Sequence, residues 1–327
     1  MKRRHGKVGK TTLLAFALFS IILFLLEMET KKVVKAKEYS EMLEATRLAE
    51  SAFFLIREER IKRGIELDSI NDPYLSGLIG RPSSPITIDH KSLDEVLLTT
   101  SPNFAGIILS LLKREGVRRG DTVLVTLDGS FPGLYFSFLA AVKVLGLNPF
   151  IFGFLTSAPW GANHPNFTYL DMEGVVNSSH LLPFRTQYVL LGGFGLSPFA
   201  RELLSQAAER NGIPLLPEEK IPLYPKGKIF CLIGDLNATL LEKEIRKGKV
   251  KVLDLSQPIS LLKRLSIKRE DLFQLPGKGK IYEEEVYSLF FAYLFTILIL
   301  IALFIIIRYD IEYYLLKKRE KIEEEAI

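Results

Sequence analysis

The sequence predicts an α/β domain with a Rossmann-like or doubly wound, mainly parallel sheet, flanked by an N-terminal and a C-terminal transmembrane helix. Short apolar strand candidates alternate with helical segments of about a dozen residues across residues 85–275, the pattern of a parallel sheet covered on both faces. Small and polar residues stand where these strands end and the helices begin. Each end of the chain carries a long apolar run beside basic residues, which is typical of membrane spans.

The N-terminal apolar run covers residues 13–26 and follows a basic flank, residues 1–12. Because a run of about fourteen residues is short for a span, a cleaved signal peptide is the alternative interpretation. We favour an uncleaved signal anchor, since Glu27 and Glu29 follow the run directly and no small-residue cleavage site is evident.

The C-terminal apolar run, residues 286–307, has about twenty-two residues without a charge and is long enough to cross a bilayer. A charged tail, residues 308–327, follows it, and the positive-inside rule predicts a two-pass inner-membrane protein with both termini in the cytoplasm. Residues 27–285 then lie outside that membrane. The net charge of +5 comes largely from the cytoplasmic flanks, so it does not indicate nucleic-acid binding.

Residues 27–84 are predicted to form a helical stalk and a turn-rich connector. Apolar residues recur in the helix at spacings of three and four and form one stripe: Met42, Ala45, Ala49, Ala52 and Ile56. The stripe suits either dimerisation or packing on the chain's own domain, and we expect the second. A linker with Pro and Gly, residues 276–285, leads from the domain to the second span.

The elements within residues 85–275 follow from apolar runs, helix caps and breakers. Strands are predicted at residues 121–127, 150–155, 188–191, 213–216, 229–233 and 250–255. Helices are predicted at residues 91–98, 101–115, 134–146, from about 166 onward, 198–211 and 237–247. The carboxyl ends of parallel strands share one edge of the sheet, which is where ligands bind in open α/β folds.

We expect a ligand site at that edge, where the starts of helices also offer free backbone N–H groups to an anion. The predicted ligand-binding residues are Gly129, Ser130, Ser157, Trp160, Asn163, Asp171 and Asp235. A large ring in a loop, as at Trp160, either closes a pocket or only covers the end of the sheet. Asp171 and Glu173 are two apart on a helix and point to different faces, and the alternative role for Asp171 is a solvated helix charge.

The sequence leaves open whether the protein is an enzyme, and the candidates for catalysis are Asp128, Ser130 and His164. Ser130 follows a strand as the nucleophile does in G-x-S-x-G, but Asp128 stands where the first glycine is needed. Ser130 therefore suits helix capping or ligand contact as well as nucleophilic attack. His164 precedes Pro165 and suits capping of the next helix as well as a role as a base.

No metal site and no cofactor are predicted. His90, His164 and His180 lack the spacing of metal ligands. Cys231 is the only cysteine, which excludes an intramolecular disulfide and a cysteine-based metal cluster, and its apolar neighbours predict a buried strand residue.

Five segments of the predicted domain are distinctive: Ser101-Pro-Asn-Phe-Ala105, Gly116-Val-Arg-Arg-Gly-Asp121, Ser130-Phe-Pro-Gly-Leu134, Trp160-Gly-Ala-Asn163 with Pro165, and Phe167-Thr-Tyr-Leu-Asp-Met-Glu173. Together they resemble the poly-gamma-glutamate system protein family over roughly residues 75–255. The stretch from Trp160 to Glu173 is the most specific part. His164 stands where the family usually has an aspartate before the proline, so no acid is present at that position.

The resemblance implies a bacterial membrane protein encoded with the amide ligase and the membrane subunit that make poly-γ-glutamate. It implies an accessory role in synthesis or export of this capsule polymer at the cell surface, in contact with the polymer, a precursor or the synthase subunits. The family lends no assigned catalytic residues. The alternative function is a membrane-anchored hydrolase or transferase that acts on γ-glutamyl chains, and a homo-oligomer is compatible with either.

Overall fold

The structure is a computed structural model in which the chain forms two compact units. One unit joins the two ends of the chain, Met1–Lys35 and Glu283–Ile327, and the other consists of Ala36–Tyr282. The second unit therefore includes most of the segment predicted as stalk and connector as well as the predicted domain. The structure describes residues 8–88, 91–192, 195–217, 225–234 and 250–309.

The terminal unit contains two apolar helices and a small sheet. Helix α1 (Lys10–Glu29) and the last helix, α10 (Leu289–Arg308), each have 20 residues, with mean hydropathies of 2.2 and 3.1. Both are long and apolar enough to cross a membrane, and little of either is buried against protein. Strands β1 (Lys32–Lys35) and β7 (Glu283–Val286) pair antiparallel next to these helices.

The second unit is built around a five-stranded parallel sheet, which confirms the predicted mixed α/β class with a parallel sheet. Across the sheet the order is β4-β3-β2-β5-β6. The strands are β2 (Thr122–Leu127), β3 (Asn148–Phe154), β4 (Tyr188–Leu190), β5 (Ile229–Ile233) and β6 (Lys251–Asp254). The strand predicted at 213–216 is reduced to an isolated parallel bridge between Val189 and Leu215. The helix predicted at 237–247 lies outside the described residues.

The described helices between residues 91 and 211 begin and end near the predicted caps and breakers, whereas no helix was predicted for the two that follow β6. The helices of this unit are α2 (Tyr39–Lys62), α3 (Leu93–Leu98), α4 (Phe104–Arg114), α5 (Pro132–Leu145), α6 (Tyr169–Ser178), α7 (Pro198–Arg210), α8 (Pro258–Arg264) and α9 (Arg269–Leu272), followed by a 3₁₀ turn at Lys280–Tyr282. Helix α5 starts with Pro132 at its first turn and ends at Gly146, which has φ +62°.

Helix α2 packs on α4, α5 and α6, so it is part of the α/β unit. All five residues of its predicted stripe are buried. Gly106 of α4 lets the two helices approach closely, since an added Cβ would lie 3.4 Å from Thr46 Oγ1 of α2. Helix α5 is apolar on all sides because α2 and α4 cover it while it shares one core with β2, and eleven of its residues are buried.

Candidate functional site at the carboxyl edge of the sheet

The carboxyl ends of β2, β3 and β5 meet at one edge, as the parallel order predicts. Leu127 at the end of β2 stands in register with Gly153 of β3 and with Ile233 of β5. Backbone hydrogen bonds then join the loops that follow. The Asp128 N–H donates to the Ile233 carbonyl at 3.2 Å, and the Gly129 N–H donates to the Thr156 carbonyl at 2.9 Å.

Asp128 and Ser130 form a tight buried turn after β2. The Asp128 carboxylate accepts a hydrogen bond from the Ser130 N–H at 2.8 Å, and Ser130 Oγ accepts one from the Ala158 N–H at 3.0 Å. Ser130 is 1% exposed and Asp128 is 5% exposed. Gly234, with φ +103°, lies so close that an added Cβ would be 2.1 Å from Asp128 Oδ1. The turn therefore requires glycine at the end of β5.

The loop after β3 is packed as closely against this turn. An added Cβ on Gly161 would lie 2.5 Å from the Gly129 carbonyl oxygen and 2.5 Å from Ser157 Oγ. The Ser157 hydroxyl donates to the Ala158 carbonyl at 3.0 Å and is fully buried. Of the predicted ligand residues, Gly129, Ser130 and Ser157 thus come together, and their near approach fixes the shape of the edge.

Residues 78–88, here called the edge segment, lie across this loop. The Ile88 N–H donates to the Ser157 carbonyl at 2.9 Å, and the Gly80 N–H donates to the Trp160 carbonyl at 2.7 Å. The Trp160 N–H in turn donates to the Arg81 carbonyl at 2.8 Å. Trp160 adopts φ +66°, a backbone conformation that residues other than glycine rarely take. The pairing with the edge segment holds it in this conformation.

Asn163 fastens the edge segment with its side chain. Its Oδ1 accepts from the Arg81 N–H at 2.8 Å, while its Nδ2 donates to the Arg81 carbonyl at 2.7 Å and to Thr87 Oγ1 at 3.1 Å. Asn163 is fully buried. Its amide is therefore occupied by the chain itself, which gives the Trp160–Asn163 segment a structural role at this edge.

Asp171 is a buried carboxylate that forms an ion pair with the partly exposed Arg210. It caps α6 by accepting from Thr168, and Arg210 of α7 donates to its two oxygens at 2.8 and 2.6 Å. The interpretation of Asp171 as a solvated helix charge is wrong, because its side chain is only 3% exposed. Burial alone would raise the pKa of this carboxyl. The hydrogen bonds from Arg210 and Thr168 and the positive charge of Arg210 outweigh burial, so the pKa lies below its ordinary value.

Glu173 is a buried carboxyl to which sequence reasoning gave no role. It accepts hydrogen bonds from the Tyr135 hydroxyl at 2.5 Å, from the Thr186 hydroxyl at 2.7 Å and from the Thr186 N–H at 2.8 Å. Burial raises the pKa of Glu173, although these donors act in the opposite direction. Its partners lie 38 and 13 residues away, so no local pattern indicated them.

His164 lies in an electropositive neighbourhood. Its Nδ1 accepts a hydrogen bond from the Asn166 N–H at 3.3 Å, and the side chain is half-buried. Burial lowers the pKa of the imidazole first, and the charges of Arg81 and Arg60 lower it further. Among the hydrogen bonds of the described residues, none joins His164 to Ser130.

Asp235 lies among residues that the structure does not describe. Within the described ranges, no group of three or more His, Cys, Asp and Glu side chains is arranged to hold a metal ion.

No family model, no curated protein and no solved structure matches this chain.

Proposed function

We propose that this chain is a two-pass inner-membrane protein and an accessory component of bacterial poly-γ-glutamate synthesis or export. Its α/β unit lies outside the membrane and contacts the polymer, a precursor or the synthase subunits. The membrane part of the proposal rests on two exposed apolar helices, one before and one after the α/β unit in the sequence. Basic residues beyond both spans support cytoplasmic termini. Poly-γ-glutamate is proposed as the polymer because the Trp160–Glu173 stretch resembles the poly-gamma-glutamate system protein family.

The strand order supports a Rossmann-like, doubly wound sheet. Counted in chain order from β2, the strands lie across the sheet as 3-2-1-4-5, the arrangement of one nucleotide-binding half with the start of the next. The order reverses between β2 and β5, and ligands of such sheets bind in the crevice at that point. Asp128 and Gly234 lie in close contact at this point of reversal, which marks it as the favoured position for a ligand by strand order.

The charge beside the edge favours an anionic partner. Arg81 is exposed, and among the described residues its guanidinium makes no ion pair and no side-chain hydrogen bond. Its backbone is fixed by Asn163, which places Arg81 next to half-buried His164. A polymer that carries one carboxylate per residue would meet the exposed charge of Arg81 and gain electrostatic attraction that salt weakens.

The experiment is a titration of the purified full chain in detergent with poly-γ-glutamate, followed by the fluorescence of Trp160, the only tryptophan. We expect a saturable change that weakens with salt and is reduced severalfold in Arg81→Ala. The matched control is Arg118→Ala, which removes an exposed arginine before β2, at the opposite end of the sheet. No saturable change, or equal loss in both variants, would refute contact with the polymer through this surface.

The accessory role has a separate test in a polymer-producing cell. Deletion of the gene is expected to abolish surface polymer while the ligase stays active in extracts. Loss of ligase activity itself would contradict the accessory role. The hydrolase or transferase alternative gains no support from the site, because Ser130 is buried and its Oγ is occupied by the Ala158 N–H.

A further inference from the structure

The two-stranded sheet of the terminal unit, here called the ribbon, has no further strand on either edge among the described residues. It consists of β1 and β7, and all eight of its residues are exposed. Each strand pairs only with the other in the part of the chain that the structure describes. The outer edge of each strand therefore presents backbone N–H and C=O groups without a strand beside it.

An isolated ribbon of this size is marginally stable in water, because two short strands bury little surface. The ion pair between Lys31 and Glu285, at 3.2 Å, contributes to the ribbon, and both side chains are substantially exposed. Exposed pairs of this kind stabilise little, because water and salt screen them. A further strand on each edge would satisfy the open backbone groups and stabilise the ribbon.

The two edges carry opposite charges. Strand β1 and the residue before it contribute Lys31, Lys32 and Lys35, whereas the first three residues of β7 are Glu283, Glu284 and Glu285. Charges on an edge strand prevent pairing with a like edge, since β1 against β1 would oppose lysines and β7 against β7 would oppose glutamates. They favour pairing of a β7 edge with a β1 edge.

The chain direction fits the same pairing. Strand β1 leads away from α1 and β7 leads back to α10, so the two strands run in opposite directions. Copies inserted the same way into one membrane are related by rotation about the membrane normal. Under that rotation, β7 of one copy and β1 of its neighbour are antiparallel. A contact between two different edges is heterologous, and it generates a ring when the rotation that relates successive copies closes.

From these observations we infer that β7 of one copy pairs antiparallel with β1 of a second copy. Repetition of this contact forms a closed ring of ribbons just outside the membrane, with lysines and glutamates alternating from strand to strand. The inference rests on the proposed two-span arrangement. It does not depend on the polymer or on the site in the α/β unit, so binding of poly-γ-glutamate and ring formation can fail separately.

A charge-swapped chain tests the contact while the ribbon within each copy stays complementary. The swapped chain carries Lys31→Glu, Lys32→Glu, Lys35→Glu, Glu283→Lys, Glu284→Lys and Glu285→Lys. Full-length chains with two different affinity tags are co-expressed, extracted in mild detergent and purified on one tag. The control chain carries Lys251→Glu with Glu115→Lys, which exchanges an exposed pair 2.9 Å apart in the α/β unit.

We expect wild type to co-purify with wild type and with the control chain, and the swapped chain to co-purify with itself. Mixed wild-type and swapped chains should co-purify at least about tenfold less, because several like-charged cross-strand contacts replace attractive ones. Equal co-purification of the mixed pair would overturn the inference. A wild-type chain that is monomeric in nanodiscs would also overturn it, as would a swapped chain that fails to associate with itself.

Discussion

Replacement of Asn163 by alanine tests whether the edge segment is held in place by one side chain. The substitution removes three hydrogen bonds, two to the Arg81 backbone and one to Thr87, from a fully buried amide. At about 1 kcal/mol net for each bond, we expect the free energy of unfolding to fall by about 3 kcal/mol. Urea unfolding of the full chain in detergent, followed by Trp160 fluorescence, reports on the α/β unit because the only tryptophan lies there.

The matched control is Asn166→Ala in the same loop, since Asn166 is exposed and its side-chain amide makes none of the hydrogen bonds that the structure shows. This variant should unfold at the wild-type urea concentration. A loss below about 0.5 kcal/mol in Asn163→Ala, or equal losses in both variants, would mean that water replaces the amide and that the edge segment is held by its backbone pairing alone.

Three further changes test the packing and charge around the edge. Glu173→Gln should gain stability relative to wild type as pH rises, and urea midpoints across pH measure this. The raised folded-state pKa of Glu173 stabilises wild type below the unfolded-state pKa, and this stability is lost as pH rises through the folded-state pKa. Gly234→Ala should destabilise by about 1–3 kcal/mol in the same assay, and more than Gly195→Ala, which has a similar φ but no atom within 4 Å of the added Cβ. Asp171→Asn should lower the free energy of unfolding by only about 1–2 kcal/mol at neutral pH, because Arg210 is partly exposed. The difference from wild type should shrink as pH falls through the lowered folded-state pKa of Asp171.

The parallel sheet could be predicted because its signals are local. Strands β2 and β5 are runs of apolar and β-branched residues, and each is followed by glycine and a carboxylate. Parallel order then brings their carboxyl ends together, which is why Asp128 and Asp235 are both predicted at that edge. The short bridge at Leu215 shows the limit of this reasoning, since an apolar run predicts burial better than it predicts strand pairing.

The roles of the residues at the edge could not be predicted, because their partners are distant in sequence. Asn163 is fastened to Arg81, 82 residues earlier, and Asp171 is paired with Arg210, 39 residues later. The spacing of polar residues after strands indicates where a site can form. It does not distinguish a side chain that awaits a ligand from one that holds a neighbouring segment.

The burial of α5 determines which part of the chain can exist as a soluble fragment. This helix is an apolar segment of 14 residues, and among the described helices α2 and α4 cover the part of it that does not face the sheet. A fragment that begins at residue 85 would lack α2 and expose a large apolar surface, which promotes aggregation. A fragment of Ala36–Tyr282 keeps that cover. Cleavage after the first apolar helix would also spare α2, so the α/β unit has the same minimal length whether or not the chain keeps its N-terminal anchor.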